Sequence, residues 1–191
     1  MPESPILVIL DLDETLIHAE AMPDQVGWDF EAGPYKVFIR PGLKDFLQGL
    51  REHFEVAIWS SASLDYVTSI VTRIFPEGYP LKFVWARDRC VPARGNFETD
   101  IYADLSSHLN FVKPLQKVKK AGFGSMERML IIDDTPSKSR ENYGNAIYPS
   151  QFKGDMKDTE LSHLLDYLLL IKDEPNMRKI EKRNWRSMIL K

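Results

Sequence analysis

The chain has 191 residues, of which 43% are hydrophobic, and this is enough for one well-buried core but not for two. Its formal net charge of −3 provides no overall attraction to nucleic acid, and its single cysteine, Cys90, excludes an internal disulfide. Because no apolar stretch is long enough to span a bilayer and residues 1–4 lack the basic start of a signal peptide, we expect no membrane contact and a cytoplasmic location, or a nuclear one in a eukaryote.

The first predicted element is a buried strand that ends in two carboxylates. Residues 5–10 are a proline and five aliphatic residues, as is typical of a strand covered on both faces in a parallel sheet. Asp11 and Asp13 follow at its carboxyl end, where open α/β sheets place their chemistry. Two carboxylates in one pocket need a cation between them, and Mg²⁺ suits oxygen ligands. The alternative is a polar turn in which an aspartate only caps a helix.

Residues 19–39 are predicted to form a β-hairpin flap, because glycines and prolines are interspersed there with aromatic and β-branched residues. Trp28 and Phe30 in this flap could line a substrate groove beside Asp11, or they could simply pack on the core. After a break at residues 40–42, apolar residues recur at the spacing of an amphipathic helix.

The second predicted strand, residues 54–59, ends in a run of small polar residues. Ser60 and Ser61 in this run are candidate phosphate ligands, through hydroxyl and backbone N–H groups. The alternative is that a serine of this run only caps the helix predicted over residues 64–74.

A third strand is predicted over residues 81–86, and two arginines follow it closely. Arg87, with Arg89 beside it, is a candidate for the rim of a substrate site. An exposed strand end without a catalytic role is the alternative.

Lys113 is the candidate phosphate-binding lysine. It precedes Pro114, whose fixed φ favours the first turn of a helix. A lysine held at a helix start can point its charge into a site at the edge of a sheet. We interpret three further lysines of this helix as a solvated face: Lys117, Lys119 and Lys120.

A later strand, residues 129–132, again ends in two acids, Asp133 and Asp134. Alternating strands and helices predict an α/β fold, in which right-handed crossovers bring the carboxyl ends of the strands to one edge. We therefore expect Asp133 and Asp134 to join Asp11 and Asp13 in one pocket that holds a metal ion.

The remainder of the chain is predicted to complete the sheet and cover it. A short helix is expected over residues 137–144, an edge strand over 145–147, and a helix with a leucine stripe after Thr159, which can cap it. We place the end of a single domain at residue 175. The basic tail, residues 176–191, is either a docking arm for an acidic partner or a helix packed back on the domain.

The motif Asp-Leu-Asp-Glu-Thr-Leu-Ile-His at residues 11–18, together with the second acidic strand end, resembles the haloacid dehalogenase superfamily. Within that superfamily it is similar to the FCP/SCP (NLI-interacting-factor-like) phosphatases, which act on phosphoserine in the polymerase II tail. The resemblance implies a Rossmann-like parallel sheet flanked by helices, with a small flap and no large cap domain.

The resemblance also implies roles for the candidate residues. Asp11 attacks phosphorus and forms an aspartyl phosphate, while Asp13 acts as general acid and then general base. Ser60, or Ser61 if the register slips by one, binds the phosphate together with Lys113, which stands at the position of the family's motif lysine. The resemblance implies that Lys113 is a phosphate ligand. It implies that the Mg²⁺ ligands are the carboxylates of Asp11, Asp133 and Asp134 and the backbone carbonyl of Asp13.

The function that this implies is a Mg²⁺-dependent phosphomonoester hydrolase, and we expect it to act as a monomer on phosphoserine or phosphothreonine in a protein. The alternatives are a phosphatase for nucleic-acid ends or a small metabolite, and a non-catalytic binding module. The chain departs from its relatives at Asp134, where many carry Asn, and in a longer segment over residues 91–112. That segment, which contains Asp100, Tyr102, Asp104 and His108, leaves the substrate open.

Overall fold

The computed structural model describes residues 4–23, 26–93 and 111–189. The strands in these ranges are β1 (Leu7–Leu10), β2 (Ile17–Glu20), β3 (Phe30–Ala32), β4 (Tyr35–Ile39), β5 (Glu55–Trp59), β6 (Leu81–Trp85), β7 (Val91–Pro92), β8 (Phe111–Val112), β9 (Met129–Ile132) and β10 (Ala146–Ile147). The α-helices are α1 (Leu43–His53), α2 (Leu64–Ile74), α3 (Leu115–Lys120) and α4 (Glu160–Ile171). Within the described ranges, no helix combines the length and the apolarity that crossing a bilayer requires.

Five parallel strands form the main sheet in the order β10, β9, β1, β5, β6. The aliphatic run of β1 lies in the middle of the sheet and is fully buried, as its composition predicts. The register places Leu10 beside Ile132 on one side and Ile58 on the other. The residues that follow these three positions therefore meet at one edge of the sheet, and Asp11 and Asp133 are the first of them.

The two faces of the sheet bury two separate hydrophobic layers. Val8 and Leu10 point towards the layer formed with α1, α2 and α4, whereas Leu7 and Ile9 point towards the layer formed with α3. This alternation follows from the two-residue period of a strand. The predicted α/β fold, with helices on both faces of a parallel sheet, is confirmed.

A second, antiparallel sheet forms the flap in the order β2, β4, β3. The predicted hairpin is present as β3 and β4, which turn at Gly33 with φ of 59°. β2 adds a third strand that the sequence did not indicate. A further small pair, β7 with β8, brackets the segment 94–110, which lies outside the described residues together with the predicted Asp100, Tyr102, Asp104 and His108. No cap domain occurs among the residues that the structure describes.

Two predicted helical features are wrong in detail. Residues 137–144 form no α-helix, but only a 3₁₀ turn over Pro136–Ser139 followed by turns. Two successive turns take the place of a helix, since the N–H groups of Asn142 and Asn145 donate to the carbonyls of Ser139 and Asn142, both at 2.9 Å. Thr159 precedes α4 but its side chain makes no cap hydrogen bond. The carboxylate of Asp158 accepts the N–H of Glu160 instead, at 2.9 Å.

The last segment, from residue 176 to 189, packs back on the domain in two 3₁₀ turns. Met177 and Trp185 are buried in the same layer as α4, and the ring of Trp185 lies 5.7 Å from that of Tyr167. The ammonium of Lys182 is enclosed by backbone carbonyls, including that of Gly144 at 2.8 Å. These contacts attach the basic tail to the edge of the sheet beside β10.

Candidate active site

Asp11 lies at the centre of the site, directly after β1, and only 1% of its surface is exposed. Its Oδ1 accepts the N–H of Leu12 at 2.9 Å and lies 2.9 Å from Nζ of Lys113, while its Oδ2 lies 3.3 Å from Nζ of Lys138. Burial alone raises the pKa of Asp11, but the charges of the two lysines hold that pKa below its ordinary value. The carboxylate of Asp11 is therefore kept ionised.

Lys113 bridges the two acidic strand ends. Its Nζ donates to Oδ2 of Asp133 at 2.7 Å as well as contacting Asp11. Burial alone lowers the pKa of Lys113, but the charges of these two aspartates raise the pKa above its ordinary value. The backbone fixes this lysine, because its N–H donates to the carbonyl of Lys138 at 2.8 Å and its carbonyl accepts the side-chain amide of Asn142 at 2.8 Å.

Asp133 is fully buried at the end of β9, beside the carboxylate of Asp11. Burial, and then the charge of Asp11, raise the pKa of Asp133 to about 6. Its Oδ1 accepts the N–H of Thr135 at 2.9 Å, which fixes the carboxylate after the strand ends.

Carboxylate oxygens of Asp11, Asp133 and Asp134 all lie within 4.8 Å of one another. Neighbours orient Asp134, whose oxygens accept from Thr15 Oγ1 at 3.5 Å and from Gln151 Nε2 at 2.9 Å. Three converging carboxylates, one of them with a raised pKa, match the oxygen ligands and the charge deficit of a hard divalent cation. The residues present therefore fit a magnesium ion.

Asp13 stands apart from this group of carboxylates. Its Oδ1 accepts a hydrogen bond from the hydroxyl of Tyr66, in α2, at 2.7 Å. Burial, and then the charge of Asp11, raise the pKa of Asp13. The loop turns sharply here, since Glu14 adopts a φ of 55°, a conformation that non-glycine residues seldom adopt. The surroundings of Asp11 therefore lower its pKa, whereas those of Asp13 raise its pKa.

A cavity of about 330 Å³ opens beside Asp13. The predicted rim residue Arg87 lines it, together with Tyr35 and Tyr66, whose rings meet edge to face at 5.8 Å. Three other residues predicted for the rim are not among its lining residues: Trp28 and Phe30 in the flap, and Arg89. Lys36 Nζ lies 4.6 Å above the ring of Trp28, and Phe30 packs on the core with Arg73 over its ring.

The two candidate serines follow β5. Ser60 is fully buried, and its Oγ accepts the N–H of Ala62 at 3.0 Å. Ser61 is half-buried, and its carbonyl accepts from Nε of Arg87 at 2.7 Å. Ser61 also lines a second cavity, of about 160 Å³, which it shares with Lys138.

The sequence matches the NLI interacting factor-like phosphatase family over residues 6–178. The chain belongs to this family. The matched range includes both acidic strand ends, and the predicted family is confirmed.

Members of the family and its relatives match most of this chain. The mitochondrial import inner membrane translocase subunit tim50 of Neurospora crassa is 30% identical over 182 residues, which are 94% of this chain and 29% of that protein. The human carboxy-terminal domain RNA polymerase II polypeptide A small phosphatase 1 is 26% identical over 169 residues, 85% of this chain and 58% of that protein. The chain thus spans less than two thirds of the length of either relative.

Solved structures show the same fold. The fission yeast RNA polymerase II CTD phosphatase Fcp1 superposes with a TM-score of 0.55 at 19% identity, over 92% of this chain and 54% of that chain. A haloacid dehalogenase-like family hydrolase from Xanthomonas campestris superposes with a TM-score of 0.54 at 10% identity, over 89% of this chain and 97% of that chain. The haloacid dehalogenase-like fold predicted for this family member is confirmed.

Two residues at this phosphatase-family site were not predicted. Lys138 lies in the 3₁₀ turn after the second acidic strand, and a cation so soon after Asp133 and Asp134 was a signal available in the sequence. Tyr66 lies in the first turn of α2, off the apolar stripe predicted for that helix. A tyrosine in the first turn of the helix that follows a polar strand end was the signal in the sequence that could have indicated Tyr66.

Proposed function

We propose that this chain is a phosphomonoester hydrolase in which Asp11 is the nucleophile and Asp13 the general acid and base. The observation that supports it best is the contrast between two carboxylates two residues apart. Lys113 and Lys138 favour the ionised form of Asp11, whereas burial and the neighbouring charge favour the protonated form of Asp13. Paired carboxylates whose environments separate their pKa values are typical of a nucleophile and a general acid.

The proposed reaction has two displacements. An oxygen of Asp11 attacks phosphorus, the bond from phosphorus to the ester oxygen breaks, and Asp13 gives its proton to the departing alcohol. A water molecule then gives a proton to Asp13 and attacks phosphorus, and the bond from phosphorus to Asp11 breaks. The products are the alcohol and inorganic phosphate, and both carboxyl groups return to their starting states.

The cationic neighbours of Asp11 suit the transferring phosphoryl group. Lys113 and Lys138 lie against different oxygens of Asp11, so a phosphoryl group on this carboxylate stays within reach of both charges. We assign to the same oxygens the hydroxyl of Ser60 and the hydroxyl and backbone N–H of Ser61, since the N–H of Ser60 donates to the carbonyl of Trp85 at 2.9 Å. Such fixed donors stabilise the charge that spreads over the oxygens in the transition state.

We assign the cation site to Asp11, Asp133 and Asp134, with the backbone carbonyl of Asp13. The closeness of the three carboxylates and the raised pKa of Asp133 support a hard divalent cation there, and we propose Mg²⁺. Bound Mg²⁺ would shield the negative charge of the phosphoryl oxygens from the attacking carboxylate.

We further propose that the substrate is a protein carrying phosphoserine or phosphothreonine. The cavity beside Asp13 is not covered by a cap domain in the described residues, so it admits a side chain that projects from a macromolecule. Arg87, Tyr35 and Tyr66 would contact the residues that flank the phosphate. The polymerase II phosphatases among the relatives support a phosphoprotein.

The covalent step gives the first test. Asp11→Asn should abolish turnover of an aryl phosphate, because an amide cannot act as the nucleophile. It should leave the fold intact, because asparagine has nearly the same shape and Lys113 keeps Asp133 as a partner at 2.7 Å. Brief reaction of the wild type with a ³²P-labelled substrate, acid quench and peptide mapping should place the label on Asp11. Asp173→Asn is the matched control, because the side chain of Asp173 is exposed on the surface. This variant should hydrolyse the substrate and take up the label as the wild type does. Label found on Ser60 would disprove the assignment.

The substrate class needs a comparison of kcat/KM at one salt concentration. The panel contains an aryl phosphate, sugar phosphates, phosphopeptides and end-phosphorylated oligonucleotides. We expect a phosphopeptide to have the highest value. If a sugar phosphate has a kcat/KM higher by orders of magnitude, the argument from an open site is wrong. If an oligonucleotide has the highest kcat/KM, the substrate is a nucleic-acid end.

A binding module without activity is the second candidate, favoured by the similarity to the tim50 translocase subunit. The presence of both Asp11 and Asp13 favours the enzyme. Purified protein that binds Mg²⁺ and phosphopeptides but releases no phosphate from any member of the panel would favour the module.

We also propose a monomer in the cytoplasm, or in the nucleus of a eukaryotic cell. Gel filtration with light scattering of the purified chain tests the first statement, and microscopy of the tagged full-length protein tests the second.

A further inference from the structure

A cavity of about 360 Å³ beside β10 is lined by residues that the proposed reaction does not use. It lies between the turn after β9 and the C-terminal tail. Its cationic lining residues are Arg140, Arg178, Lys179, Lys182 and Arg183, and its one acid is Glu181. We call this the basic cavity. Because the whole chain has a net charge of −3, such a concentration of positive charge is local.

Two of these cations are already satisfied within the protein. The guanidinium of Arg183 pairs with Glu181 at 2.6 Å. The ammonium of Lys182 donates to backbone carbonyls, among them those of Gly144 and Ile180, both at 2.8 Å. Their charge is therefore less available to a ligand.

The other three cations, Arg140, Arg178 and Lys179, are exposed. No carboxylate in the described part of the chain lies within ion-pair distance of them. Their side chains thus present positive charge that is not neutralised by direct contact, and they line one cavity.

One wall of the basic cavity contains a polar group without a partner. Ser139 is 1% exposed, and its Oγ makes no hydrogen bond to a described residue. A buried hydroxyl usually has a hydrogen-bond partner, since leaving one unpaired costs about 1–3 kcal/mol. Rotation about one side-chain bond redirects a serine hydroxyl, so Ser139 can donate to an oxygen in the cavity.

The basic cavity is connected to the candidate active site through shared residues. Arg140 lines both the basic cavity and the smaller cavity that Lys138 lines, and Nζ of Lys138 is 3.3 Å from Asp11. Asn142, also in the wall of the basic cavity, holds the carbonyl of Lys113 at 2.8 Å. Positive side chains therefore continue from the phosphate-binding lysines to the tail.

We propose that the basic cavity binds an acidic stretch of the phosphoprotein substrate, beside the residue that is dephosphorylated. The proposal rests on the proposed function. Carboxylates or further phosphates of the same polypeptide match the three available cations and the hydroxyl. A peptide is favoured over nucleic acid because a short acidic stretch touches only this patch, whereas a long polyanion also meets the net negative charge of the rest of the surface.

Charge reversal of the exposed cations tests the proposal. The substrates are a phosphoserine peptide with glutamates on either side, the same peptide with glutamines, and an aryl phosphate. For Arg178→Glu with Lys179→Glu, we expect kcat/KM for the acidic peptide to fall about tenfold or more, since each reversal replaces an attraction by a repulsion. The values for the glutamine peptide and the aryl phosphate should not change.

The matched control reverses two charges elsewhere. Lys44→Glu with Arg51→Glu has the same charge change on α1, where both residues are exposed and line neither cavity. The control should leave all three substrates unchanged, and an equal loss in both variants would overturn the proposal. Thermal unfolding checks that the variants fold, and Lys179→Glu alone, with a smaller expected loss, replaces the double variant if that one does not.

A binding measurement separates this proposal from the proposed function. Fluorescence anisotropy with the unphosphorylated glutamate peptide reports binding without any chemistry. If the wild type hydrolyses nothing but binds this peptide, and charge reversal weakens binding about tenfold, the basic cavity is supported while the proposed function fails. Single-stranded oligonucleotide of equal charge that binds more tightly at the same salt concentration would overturn the peptide as occupant. Ser139→Ala should weaken peptide binding without lowering the melting temperature.

Discussion

The hydroxyl of Tyr66 lies 2.7 Å from Oδ1 of Asp13 and donates a hydrogen bond to it, across a sequence separation of 53 residues. The carboxylate of Asp13 thus has a fixed orientation, next to the strained backbone of Glu14. Burial, and then the charge of Asp13, raise the pKa of the Tyr66 hydroxyl, so this hydroxyl stays a donor. Tyr66 is a positioning residue for the proposed general acid.

Tyr66→Phe should therefore lower kcat more than it raises KM. Asp13 becomes charged as it gives its proton to the departing alcohol. Because loss of a hydrogen bond to a charged group costs about 1.5–3 kcal/mol, we expect kcat to fall roughly ten- to a hundredfold. Steady-state kinetics with an aryl phosphate measures both constants. Tyr143→Phe, at an exposed tyrosine far from Asp13 in sequence, is the control and should have no effect. A change in KM alone would show that Tyr66 only contacts substrate.

Removal of metal should abolish activity reversibly and also lower stability. Lys113 already bridges Asp11 and Asp133, but a cation that also contacts Asp134 would neutralise more of the charge on the three carboxylates. Mg²⁺ should therefore raise the melting temperature in phosphate-free buffer. Mg²⁺ at a hundred times its Kd adds about 2.7 kcal/mol to the free energy of unfolding. Asp133→Asn should lose this stabilisation, whereas Asp173→Asn should keep it. Full hydrolysis after exhaustive EDTA treatment would refute the metal requirement.

The pair of buried Arg40 and half-buried Asp158 should make stability depend on pH in the acid range. Arg40 donates to both oxygens of Asp158, at 2.9 and 2.8 Å. It also donates to the carbonyl of Thr15, two residues after Asp13, at 3.0 Å. Burial alone raises the pKa of Asp158, but the hydrogen bonds of Arg40 hold it below its ordinary value of 3.8. Its contribution to stability is therefore complete above about pH 4 and is lost as the pH falls through the folded-state pKa.

Asp158→Asn should lower the free energy of unfolding by about 3–5 kcal/mol at pH 7, because it leaves the arginine charge buried without its partner. The difference from wild type should begin to shrink below about pH 4, where the carboxyl group of the unfolded chain takes up a proton, and should continue to shrink until the pH reaches the lower pKa of the folded state. Urea unfolding from pH 7 to pH 3 measures the difference in the free energy of unfolding between wild type and Asp158→Asn, and Asp173→Asn is the control. A difference that is constant over this range would show that the pair contributes through packing and not through charge.

Gly144 is predicted to fix the position of the tail. Its φ is 78°, and a Cβ at this position would lie 2.8 Å from the carbonyl oxygen of Arg178. Gly144→Ala should destabilise the protein by the left-handed strain of about 1 kcal/mol plus about 1–3 kcal/mol for the clash. Gly122→Ala is the matched control, since Gly122 has a φ of 84° and nothing within 4 Å of its Cβ position. Equal losses in urea unfolding would show that the tail does not depend on this contact.

The sequence by itself determined the sheet and the two acidic strand ends. A run of aliphatic residues has one stable location, between two layers of helices, and the aspartates that follow must lie where the strands stop. The register of β1 with β9 then puts Asp11 beside Asp133. Local composition was sufficient for these features because burial and strand direction do not depend on the details of packing.

Only the tertiary structure decided which other side chains reach these aspartates. Tyr66 and Lys138 lie on a helix and a turn, where a rotation of one residue would point them elsewhere. Trp28 and Phe30 are aromatic residues of the kind that line a substrate groove, but the pairing of β3 with β4 directs Phe30 onto the core. Side-chain direction depends on how each element rotates against the sheet, and that rotation is set by contacts between residues far apart in the chain.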